Sequence, residues 1–147
     1  MALQVEGLVT IPFTKGLESP YLELLAQLGH EAHFDPGTYI LREGEPADHF
    51  YLIQQGRVAL GTFISGRGFT TIQTIGDNEV LGWSWLIPPH QWRFSALVIL
   101  PTQVIRFDGQ RLREECEADH NFGYAILQRI ALVLGKRLEE TRNRLEL

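Results

Sequence analysis

The chain has 147 residues, 44% of them hydrophobic and 21% charged, which is the size and balance of one compact globular domain and leaves too few residues for a second. Its formal charge of -5 argues against a surface built mainly to grip phosphate backbones, because counterion release needs clustered Lys and Arg. Residues 1–7 show no basic start leading into an apolar stretch, and no apolar run approaches about 18 residues, so a soluble, cytoplasmic protein without a membrane span is expected.

Ser19 and Pro20, followed by Tyr21, Leu22, Leu24, Leu25 and Leu28, predict an N-cap, a proline in the first turn and an amphipathic helix over 19–29. From 32 to 107 the texture changes to short runs of Val, Ile, Phe, Tyr and Thr punctuated by glycines, which predicts a roll or sandwich of short antiparallel strands. Strands are expected over 38–42, 50–53, 57–64 and 69–75, the last two joined by a hairpin turn at 65–68. Two more are expected over 93–100 and 102–107, after which Asp108 stands as the N-cap of a helix through 110–115. The lone cysteine, Cys116, cannot close an internal disulfide and has no partner at recognisable spacing, so it reads as a helix-packing residue.

The C-terminal helices fill 108–147. In the last of them, from Phe122 to Leu147, Leu127, Ile130, Leu134, Leu138, Thr141 and Leu145 alternate steps of three and four and fall on one face. Such a helix is about 35 to 40 Å long at 1.5 Å per residue, longer than the roll alone can cover, so a homodimer paired through it is expected. Gly135 within the stripe either lets paired helices approach closely or weakens the helix locally.

The segment 36–58, with Gly37, Gly44, Asp48, Tyr51, Ile53, Gly56 and Val58 at their spacings, resembles the opening of a cyclic-nucleotide-binding domain of the Crp-like superfamily. The resemblance implies a mainly β fold with flanking helices: a β-roll, or double-stranded jelly roll, followed by a long dimerisation helix. In that family a phosphate-binding cassette runs Phe/Ile-Gly-Glu, short helix, Arg-Ser/Thr-Ala; backbone N–H groups and the arginine hold the cyclic phosphate, and the glutamate takes the ribose hydroxyl. Here Gly82 matches the cassette glycine, but Trp83 stands where the glutamate belongs and cannot accept that hydrogen bond. Arg93 falls on the phosphate arginine when counted forward from Gly82, and one place later when counted back from Val104 and Phe107; Phe94 interrupts the Arg-Ser/Thr pair.

These departures disfavour cyclic AMP and cyclic GMP and leave the cofactor unknown. The candidate ligand site is Gly82, Trp83, Ser84, Trp85, Trp92, Arg93 and Ser95. Its three tryptophans either fill the space of a nucleotide or floor a site for a flat, apolar ligand. The histidines His30 and His33 lack matching metal ligands, so no metal is expected, and no nucleophile elbow, P-loop or dinucleotide fingerprint indicates an enzyme. Regulators of this superfamily read DNA through a helix-turn-helix after the long helix; none is present before Leu147, so direct DNA binding is not expected. The expected function is a stand-alone ligand-sensing, regulatory domain that signals to a separate protein partner. The alternatives are a ligand-free interaction module plugged by its tryptophans, and a small cupin-like metal enzyme.

Overall fold

The computed structural model describes residues 6–9 and 11–145; the start of the chain, read above as free of a leader, and the last two positions of the predicted final helix lie outside the described residues. The order is α1 (Glu6–Val9), a 3-10 turn (Pro12–Thr14), α2 (Ser19–Leu28), β1 (Gly29–Phe34), β2 (Tyr39–Leu41), β3 (His49–Ile64), β4 (Gly68–Ile75), β5 (Val80–Leu81), β6 (Ser95–Asp108), α3 (Gly109–Ala118) and α4 (His120–Leu145).

All strand pairings are antiparallel, in the order β1-β6-β3-β4, with β2 on β6 and β5 on β3. This is the expected β-roll, built on two long strands where four short ones were predicted. Register shifts between Ile53 and Val58 bend β3 while keeping it paired, so one strand serves both halves of the roll. Where it passes beneath the helices, Phe50, Tyr51, Leu52 and Ile53 are buried in succession instead of alternating, because both faces are covered. Phe50 lies 5.3 Å from Phe13, 5.1 Å from Trp85 and 5.9 Å from Phe107 between ring centroids, joining the N-terminal turn to the roll.

The helix α2 is capped differently from the prediction: Glu18 is the N-cap residue, without a side-chain cap, and Ser19 is already helical. Gly29 is not helical but opens β1, three residues before the predicted start of the roll. Asp108 caps α3 as expected, its carboxylate accepting from the Arg111 N–H at 3.1 Å.

Two expectations for α4 need correction. Of the predicted stripe, Ile130 is buried and Leu134 and Thr141 are half-buried, whereas Leu138 is 71% exposed and Leu127 and Leu145 also face outward. The face against the roll is instead Phe122, Ile126, Ile130 and Val133, continued by Arg137 and Thr141. Nor does the far half stand free: the Gln73 side-chain amide donates to the Arg137 carbonyl at 2.9 Å, and Arg144 donates to the Ile72 carbonyl on the edge of β4. Polar anchoring therefore extends the docking beyond where apolar contacts stop.

Candidate functional site

β5 leads into Gly82, and the chain then forms turns where the cassette has a short helix. Leu86 N–H donates to the Trp83 carbonyl at 3.1 Å, and His90 N–H to the Ile87 carbonyl at 3.0 Å. Gly82 has φ +88°, and a Cβ added to it would lie 2.8 Å from the Trp92 ring. Glycine is thus needed both for the left-handed backbone and for the indole packed on it. Trp92 is held there by the family-like turn: its N–H donates to the Glu45 carbonyl at 2.9 Å, and its carbonyl accepts from the Gly44 N–H at 2.8 Å.

What remains at the cassette is a cavity of about 10 Å³ lined by Gly82, Trp83, Ser84, Trp92 and Arg93 together with Leu41, Leu60, Phe94 and Arg137. That is about the room of one water molecule. Arg93 is exposed at its edge and forms no side-chain hydrogen bond or ion pair among the described residues. Two of the seven predicted site residues lie apart from the cavity. Trp85 is fully buried on Phe50, with its carbonyl accepting from Arg113 at 2.6 Å and its indole N–H unpartnered. Ser95 is buried in β6, and its hydroxyl accepts from the Glu43 N–H at 3.0 Å.

Sequence reasoning missed Arg137. Its guanidinium donates to the Val80 carbonyl, two residues before Gly82 in β5, and lines the cavity from the side of α4. Burial pushes its pKa below the usual guanidinium value, with Glu79 and Glu140 opposing the shift, and it remains a cation. The signal that could have found it is a break in type at constant spacing: after Phe122, Ile126, Ile130 and Val133, the inward face continues with Arg137 and Thr141.

No group of three or more His, Cys, Asp or Glu that could hold a metal ion occurs among the described residues. His30 and His33 lie exposed on β1. Cys116 is half-buried, and burial, reinforced by Glu117 and Glu115, pushes its thiol up to about 11. Such a thiol is a poor nucleophile near neutrality.

The cyclic nucleotide-binding domain family matches residues 31–119. A CRP-like cAMP-activated global transcriptional regulator of Mycobacterium tuberculosis is 26% identical over 131 residues, covering 89% of this chain and 57% of that protein. The chain therefore spans a little over half the length of that relative. A solved structure from Geobacter metallireducens, provisionally described as a cyclic nucleotide-binding protein, superposes with a TM-score of 0.85 at 27% identity, covering 92% of this chain and 98% of that one. A cyclic nucleotide-binding domain from Methylobacillus flagellatus has the same fold, with a TM-score of 0.81 at 22% identity over 96% of this chain and 79% of that one.

Proposed function

Because the chain belongs to the cyclic nucleotide-binding domain family, we propose that it is a regulatory domain whose cassette is filled by its own side chains and which acts through α4. The observation that carries this is the cavity of about 10 Å³ at Gly82, against the roughly 300 Å³ or more that a small-molecule site needs. Trp92 covers Gly82, and Trp83 replaces the hydroxyl acceptor that a ribose requires. We assign it no reaction.

Output through α4 takes the form of a homodimer. Tyr124, Leu127, Leu138 and Leu145 line the side turned away from the roll, with Tyr124 67% exposed and Leu138 71% exposed. A helix whose inner face is already docked gains by pairing this second stripe with a copy of itself, as its heptad-like spacing favours. Leu138→Glu is expected to shift the species seen by light scattering from dimer to monomer without loss of helical circular dichroism. An unchanged dimer in that variant removes α4 as the interface.

A second reading, in which residues 82–95 open to admit an effector that shifts α4, is favoured by Arg93, an exposed cation at the edge of the cavity with no ion pair among the described residues. A thermal-shift screen against cyclic AMP, cyclic GMP and cyclic dinucleotides, repeated with Arg93→Ala, separates the two. No shift is expected with any of them. Saturable stabilisation lost in the variant overturns the closed cassette and makes Arg93 the phosphate clamp, because a ligand that binds only the folded state must stabilise it.

A further inference from the structure

A second cavity, of about 560 Å³, opens on the other side of Arg137, between the N-terminal 3-10 turn, the loop before β5 and the inner edge of α4. Its size is that of a small-molecule site, some fifty times the space left in the cassette. Pro12, Phe13, Val80 and Val133 supply apolar walls, with Lys136 at the rim.

The charges around it are not equally committed. Each carboxylate of the loop keeps its charge but has one oxygen held by backbone: Asp77 accepts from the Gly56 N–H at 2.9 Å, and Glu79 from the Gly76 N–H at 2.6 Å. Arg129 is spent on the Lys15 carbonyl at 2.8 Å and the Ala125 carbonyl at 3.4 Å. Glu140 is the remaining acid, exposed at one end. Arg137 is half-buried, and among the described residues its guanidinium has a single acceptor, the Val80 backbone carbonyl, and no carboxylate within ion-pair distance. A guanidinium has five N–H donors; Glu79 and Glu140 favour the Arg137 charge without contacting it, so most of its donors are left for an acceptor in the cavity. Lys136 is exposed and likewise forms no ion pair among the described residues.

We propose that this cavity is an effector site for a small organic anion, with its carboxylate or phosphate held by Arg137 and Lys136 and its apolar body lying on Phe13, Val80 and Val133. This deepens the regulatory reading, since the ligand would bridge α4 to the loop before β5, but it does not depend on the cassette being closed.

The test is a titration of the uniformly ¹⁵N-labelled full chain with phenyl phosphate, benzoate and, as a cationic control, benzylamine, followed by amide chemical shifts. Saturable shifts are expected at Phe13, Glu79, Val80 and residues 133–137 with at least one of the two anions, and none there with benzylamine; which anion binds identifies the headgroup. Lys136→Glu, at an exposed position that the fold does not use, is expected to weaken binding about tenfold by turning an attraction into a repulsion. Arg137→Met is expected to abolish it, and Arg93→Ala to leave it unchanged. The proposal is overturned by the absence of saturable shifts, by equal binding of benzylamine, or by unchanged affinity in Lys136→Glu. Shifts confined to residues 82–95 and lost in Arg93→Ala overturn it too, and would separately overturn the closed cassette.

Discussion

The turn at Gly44 and the loop after Gly82 both hold a glycine in the left-handed region, at φ +87° and φ +88°, yet they demand it for different reasons. Nothing lies within 4 Å of a Cβ built on Gly44, so backbone conformation alone requires glycine there, whereas at Gly82 the Trp92 ring closes the space as well. The two regions are also joined, since the Gly44 turn grips the main chain of Trp92 on both sides. A frame of turns can therefore stay that of the family while the side chains it carries change what the frame admits.

The largest expected effect comes from removing the filler. Trp92→Ala should lower unfolding free energy by about 3–5 kcal/mol in urea titrations; a loss below about 1 kcal/mol would mean that the indole does not pack as tightly as its burial indicates. Gly82→Ala should cost about 2–4 kcal/mol, combining the left-handed backbone with the clash against Trp92. Gly44→Ala should cost only the backbone part, about 1–2 kcal/mol, and equal costs at the two glycines would dissolve the contrast between them. The smallest effect lies in the frame and concerns pH. Burial pushes the Tyr51 hydroxyl up to about 12, helped by Asp48 and opposed by Arg106, and the Cys116 thiol up to about 11. Both groups keep their protons longer in the folded state. The stability this gives is complete below the unfolded values of 9.0 and 10.0 and is lost as pH rises through the folded ones. Cys116→Ala should flatten the decline between pH 9 and 11, measured as the denaturation midpoint against pH.

The roll was legible because its strands carry β-branched and aromatic runs between turn residues, and Asp108 was legible as a cap because capping is a local interaction. The long helix misled because spacing identifies a stripe without saying what faces it. Leu127, Leu138 and Leu145 make the better apolar pattern, but Arg137 and Thr141 make the contacts, through carbonyls of Val80 and its own turn that no hydropathy pattern registers. The N-terminal turn escaped notice for a related reason. Leu8, Ile11, Phe13 and Leu17 are buried, but in or beside elements of three or four residues too short to display a period. At the cassette, the departures from the family were visible in Trp83 and Phe94; that Trp92 would lie on Gly82 while Trp85 turned into the core depends on packing across the roll.

The pairing of β1 with the far end of β6 sets Gly29 opposite Phe107, so most of the chain separates the two partners in sequence. Closing so long a loop before any contact rewards it makes folding slow, in the range of about milliseconds to seconds for sheets of this kind. During synthesis the roll cannot close until Phe107 has left the ribosome. Until then the apolar run from Phe50 to Ile53 has only the two residues of β5 to pair with and lacks its β6 partner, so the nascent chain is most exposed to aggregation just before α3 and α4 are made.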